Sequence, residues 1–108
     1  MKRSSKVVVE AEKRMLRAGR LTGDEAALLA EKAGVDVGGL MRLLLPAARG
    51  RALPRVSGFS VGAIAAGDSG ALYLGANCEF PGEPLGRAVH AEQAAVAAAL
   101  IGGERGVE

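Results

Sequence analysis

The chain has 108 residues, of which 49% are apolar and only 3% aromatic, and fourteen Lys and Arg against twelve Asp and Glu leave a formal net charge of +2. That length makes one domain, the composition excludes a disordered chain, and so weak a charge gives no field that would by itself draw in a nucleic acid or a membrane surface. The one cysteine, Cys78, rules out an intrachain disulfide and suits a reducing, cytoplasmic setting. The basic start Met1 to Lys6 runs through Val7-Val8-Val9 straight into Glu10 and Glu12, so neither an export signal nor a membrane span is expected.

From Val7 to Ala18 charged and apolar residues alternate at roughly helical spacing, with Met15 and Leu16 as the inward positions and Gly19 as the stop. A short, loosely held helix is expected, and residues 1–20 read as a helical extension of a domain over 21–108. Thr22-Gly23-Asp24-Glu25 has the form of a capping box, so a second helix should start at Thr22, carry Ala26, Leu28, Leu29 and Ala33, and stop at Gly34. Asp36 can cap a third helix bearing Leu40, Met41, Leu43, Leu44 and Leu45, which Pro46 should kink or end. Arg49, Arg51 and Arg55 follow in a connection with Gly and Pro, where a solvated loop is the reading preferred over an anion contact.

Beyond Pro54 the texture changes. Phe59 to Ala65 reads as a strand, Gly67-Asp68-Ser69-Gly70 as a tight turn and Ala71 to Ala76 as the return strand, which together make a β-hairpin. Pro81, Gly82 and Pro84 break regular structure before an alanine-rich helix from about Val89 to Ile101, closed by Gly102-Gly103. Its alanines allow close approach to the hairpin, while Val96, Leu100 and Ile101 should supply the contact area.

The chemistry concentrates at the start of that helix, in Arg87-Ala88-Val89-His90-Ala91-Glu92-Gln93, which holds the one histidine. Residues two apart diverge on a regular helix, so His90 and Glu92 can converge on one atom only from the first turn. A site there lies in front of unpaired amides and the positive end of the helix dipole. A neutral imidazole can ligate zinc, and a neighbouring carboxylate that leaves the metal alone can carry protons. Taken alone, H-x-E is three residues and is best read as an ordinary polar helix start.

Three blocks raise it. Ser57-Gly58-Phe59-Ser60-Val61-Gly62-Ala63, Gly75-Ala76-Asn77-Cys78-Glu79-Phe80 and Val89-His90-Ala91-Glu92-Gln93 resemble, in order and spacing, successive blocks of cytidine deaminases, zinc enzymes in which H-x-E is followed by P-C-x-x-C. The likeness extends from about Leu21 to Val107, takes in Leu21-Thr22-Gly23 and Leu44-Leu45-Pro46, and is nearest to the N-terminal catalytic domain of the dimeric, two-domain class. The resemblance implies an α/β protein with a partial α-β-α layer fold of N-terminal helices, β-hairpin and Ala-rich helix. It implies a hydrolase of pyrimidine salvage that converts cytidine or deoxycytidine to the uridine form.

By the same resemblance Phe59 would lie against the pyrimidine ring, Asn77 and Glu79 would bond the ribose hydroxyl, and the Ala91 amide would hold the ring carbonyl. His90 would be the first Zn2+ ligand. Glu92 would take a proton from the water that zinc activates and deliver it to the ring nitrogen and then to the leaving amine. The residues themselves support part of this, because on a strand Asn77 and Glu79 share a face and Cys78 points away, which makes Cys78 a small apolar residue and a poor ligand. A G-x-N-x-E block that grips a sugar favours a free pyrimidine nucleoside over a polynucleotide.

Two departures stand out. Gly58 occupies a position where that class usually carries asparagine, and no Cys-x-x-Cys exists in these 108 residues, although a catalytic zinc usually takes three protein ligands. The expectation is therefore an incomplete or split deaminase whose thiolates come from a missing segment or a complementary chain, with a homodimer or that complementary chain as its partner and a two-stranded sheet bearing a bare, sticky edge. The alternative is a non-catalytic nucleoside-binding or interaction protein that keeps half of the fold. A third reading, non-specific binding of nucleic acid by clustered Arg, is opposed by the small net charge.

Overall fold

The computed structural model describes residues 2–54, 58, 60–79 and 89–107. Its elements are α1 (Lys2–Ala18), β1 (Arg20–Leu21), α2 (Gly23–Ala33), α3 (Val37–Arg49), β2 (Gly62–Ala66), β3 (Leu72–Ala76) and α4 (Ala91–Ile101). Local chemistry sets several boundaries. The Thr22 hydroxyl accepts from the Glu25 amide while the Glu25 carboxylate accepts from the Thr22 amide, and α2 ends on Gly34 in the left-handed conformation. Asp36 caps α3 by accepting from the Gly39 amide at 2.7 Å.

The sheet is antiparallel with order β1-β3-β2. The expected hairpin is β2 and β3, with Ile64 opposite Leu74, and its turn closes through a Gly70 N–H donating to the Gly67 carbonyl. The expectation of two strands fails because Arg20 and Leu21 pair with Tyr73 and Leu72, a two-residue strand too short to leave a periodic signal. Beyond β2, Gly67 bridges Val107 and the Asp68 amide donates to the Gly106 carbonyl, so the tail folds back over the turn.

Side chains alternate between two layers, as the pleat requires. Leu72, with Ile64, Ala66 and Leu74, packs against α1, α2 and α3 in a core containing Val7, Ala11, Met15, Leu21, Leu29, Leu40 and Leu44. Ala71 and Tyr73 face α4 on the other side, against Ala99 and Ala98. The architecture is thus the expected α-β-α layering.

Four details differ from the sequence reading. Helix α1 starts at Lys2 rather than Val7 and buries Val7, Ala11 and Met15, an i, i+4, i+8 stripe, while Leu16 is half-buried. Of the two outcomes expected at Pro46, an end to α3 does not occur, since the helix runs on to Arg49 with Ala47 and Ala48 buried beyond it. Burial outweighs the one missing amide. Both hairpin strands are shorter than expected, β2 beginning at Gly62 and β3 at Leu72. In α4 the inward residues are Ala91, Ala95 and Ala99, whereas Val96, Leu100 and Ile101 face outward. Among the described residues no helix is long and apolar enough to cross a membrane.

Candidate active site

The inversion in α4 has a cause in β3. A Cβ on Gly75 would run into the Ala91 carbonyl oxygen and the Ala95 nitrogen and would lie 2.8 Å from the Ala95 Cα. The first turn of α4 therefore sits directly on the β3 backbone, and only alanine fits between helix and sheet. That contact fixes where the helix begins. His90 is its N-cap, with extended φ −84° and ψ 151°, its carbonyl takes the Ala94 amide at 3.0 Å, and its own N–H donates to the Gln93 Oε1 at 3.0 Å. Glu92 stands in the first turn. Both side chains are exposed, while Ala91 between them is buried.

Just past β3, Asn77, Cys78 and Glu79 tie this helix start to the rest of the protein. The Cys78 amide donates to the Val89 carbonyl and the Val89 amide donates back to Cys78, both at 2.8 Å. The Leu53 amide donates to the Asn77 carbonyl at 2.9 Å, and the Glu79 amide to the Leu53 carbonyl at 3.0 Å. Three chain segments thus meet at one rung, and the residue after Val89 is His90. Asn77 and Glu79 are each 7% exposed, whereas Cys78 between them is half-buried, so the small buried thiol expected there is only partly covered. The backbone of this rung puts the block containing Asn77 and Glu79 beside the start of α4. Phe59 lies outside the described residues, as does Arg55. Arg49 and Arg51 are exposed, and Arg51 is not simply solvated, since its guanidinium donates to the Leu16 carbonyl at the end of α1.

A family-type zinc site needs three protein ligands. Among the described residues no three His, Cys, Asp or Glu side chains come together to hold a metal ion. The described residues do not therefore fit a complete zinc centre, and His90 brings one imidazole to the helix start.

Sequence reasoning missed a polar latch at the opposite end of α4. Glu104 accepts from the Tyr73 hydroxyl at 2.7 Å, the Ser69 hydroxyl at 2.5 Å and the Ser69 amide at 3.0 Å. The Ser69 hydroxyl, the Tyr73 phenol and the Ser69 amide hold the Glu104 carboxyl below its ordinary value. The accepting carboxylate, together with burial, pushes the Tyr73 phenol up. Its partners lie 31 and 35 residues away in sequence, beyond the reach of any local pattern.

An α-β-α layered domain with a histidine and a carboxylate at a helix start is the class that the fold and site define. No family model matches the chain. Curated relatives do: it is 45% identical to a cytidine deaminase of Shewanella sediminis over 91 residues, covering 84% of this chain and 31% of the relative. It is 47% identical over 88 residues to one from Aeromonas hydrophila, and 46% identical over 85 residues to one from Photorhabdus laumondii, covering 82% and 79% of this chain. The chain is thus a homologue of cytidine deaminases over most of its own length, and it spans about 30% of the length of these relatives.

Proposed function

We propose that this chain supplies part of the active site of a cytidine deaminase, the hydrolase that adds water to cytidine or deoxycytidine and releases ammonia. The observation that carries the reading is the rung through Cys78 and Val89, which joins the Asn77 and Glu79 block to the helix start bearing His90 and Glu92. Asn77 and Glu79 bond the ribose, Phe59 lies against the base, the Ala91 amide holds the ring carbonyl, and Glu92 moves protons to the ring nitrogen and the departing amine. His90 contributes one ligand for Zn2+, and a Cys-x-x-Cys segment outside these 108 residues contributes the thiolates. Residues 21–108 are taken as the deaminase-like unit, working in the cytoplasm in pyrimidine salvage.

The completing polypeptide, a chain bearing Cys-x-x-Cys, has a surface to meet. Val96, Leu100 and Ile101 are 39%, 53% and 88% exposed along the outer face of α4. A helix that is apolar on all sides is ordinarily covered on all sides.

The purified chain should bind well under one zinc per molecule and show no cytidine turnover. Mixing with a polypeptide bearing Pro-Cys-x-x-Cys should give deamination, and Glu92→Gln should abolish it. Full zinc occupancy with turnover by the chain alone overturns the need for outside thiolates. A second reading, a non-catalytic nucleoside binder, is favoured by the lack of a three-ligand cluster among the described residues. Uridine binding by calorimetry, with no turnover under any pairing, selects it.

A further inference from the structure

We propose that Asn77, besides the ribose contact assigned to it above, has a second, positioning role, holding both ends of the 53–61 segment on the rung that carries Glu79; its functional meaning rests on the nucleoside reading above. Both ends of that segment converge on this one residue. At the entrance, the Leu53 amide donates to the Asn77 carbonyl at 2.9 Å. At the exit, the Val61 amide donates to the Asn77 Oδ1 at 2.9 Å, and the Asn77 amide donates back to the Val61 carbonyl at 3.1 Å.

The side-chain bond also fixes the carboxamide's orientation. A backbone N–H can only donate, so the Asn77 oxygen must face Val61 and its NH2 must face elsewhere. Holding the two ends of a segment together costs chain entropy. Asn77, 7% exposed, offsets that cost with a buried acceptor placed between the base-contacting block and the sugar-contacting one. The separation of sixteen residues between Val61 and Asn77 makes this a tertiary tie and not a local turn.

The test compares amide hydrogen exchange and uridine calorimetry for the 108-residue chain, Asn77→Ala and Asn77→Asp. Aspartate keeps an acceptor for Val61 but no side-chain donor. In Asn77→Ala the Val61 amide should exchange about tenfold faster or more, as loss of one such bond predicts, while the Leu29 and Leu44 amides keep their protection, and uridine affinity should drop by about tenfold or more because the ribose contact is lost together with the tie to Val61. In Asn77→Asp the Val61 protection should return. Unchanged Val61 exchange in Asn77→Ala, a matching loss at Leu29 and Leu44, or failure of aspartate to restore protection overturns the proposal. If neither the unmodified chain nor its mixture with the Pro-Cys-x-x-Cys polypeptide takes up uridine, the nucleoside reading falls, and the exchange comparison still decides the role of Asn77.

Discussion

Replacing Gly75 with alanine tests how α4 is seated. The added Cβ would lie 2.8 Å from the Ala95 Cα and nearer still to the Ala91 oxygen and Ala95 nitrogen. Carbon atoms in contact rest about 3.5–4.0 Å apart, so the first turn of α4 must retreat by roughly 1 Å. Overpacking costs about 1–3 kcal/mol, and the upper figure applies here because the obstacle is backbone on both sides and not a flexible side chain. Against a total stability of about 5–15 kcal/mol that is a large fraction. At about 4–8 °C per kcal/mol for a domain of this size, the melting temperature should fall by about 12–24 °C. Urea titration should show a lower midpoint at unchanged slope. Gly38 is the control: a Cβ there meets only the Asp36 Oδ1 at 3.6 Å, so Gly38→Ala should be neutral or stabilising by up to about 1 kcal/mol. Equal effects of the two substitutions, or a loss under about 0.5 kcal/mol for Gly75→Ala, would refute the backbone-contact argument.

Thr22→Ala removes one half of the α2 capping box and should cost about 1 kcal/mol in thermal or urea unfolding, with the helix boundary otherwise kept. Glu104→Gln should destabilise at neutral pH. Because the folded Glu104 carboxyl titrates below its ordinary value of 4.5, its stabilisation is present above that pH and is lost as the pH falls through the folded value. Unfolding curves of the two proteins should therefore converge in acid and separate above it; a constant gap from pH 7 down to pH 3 would contradict the latch. Leu100→Ser with Ile101→Ser should leave the unfolding free energy of the isolated chain within about 0.5 kcal/mol, since both side chains are exposed, yet weaken association with a Cys-x-x-Cys-bearing polypeptide in sedimentation.

What could be read directly from the sequence was what is decided locally. Thr22 with Glu25, Gly34, Asp36 and the Gly67–Gly70 turn each carry their geometry in two to four neighbouring residues. The helix start at His90 was legible within two residues for the same reason. What escaped was decided by contacts between distant segments. Val7 and Ala11 join Met15 in the core along an i, i+4, i+8 stripe, which was less conspicuous in the sequence than the larger Leu16 because Ala11 is small, and which α2 and α3 cover. Large apolar side chains mark the buried face of most helices, and in α4 that rule points the wrong way because Gly75 leaves room only for alanine. The bond from Val61 to Asn77 and the Glu104 latch were likewise invisible before the fold brought their partners together.

The seating of α4 separates two duties that helices usually combine. Position is set by backbone resting on backbone at Gly75, by the Cys78–Val89 pair before the first turn and by Glu104 after the last. The outward side chains then contribute little to where His90 stands. Substitutions at the exposed Val96, Leu100 or Ile101 can therefore change the outer face of α4 while the histidine stays in place, so the surface and the site geometry are free to change independently.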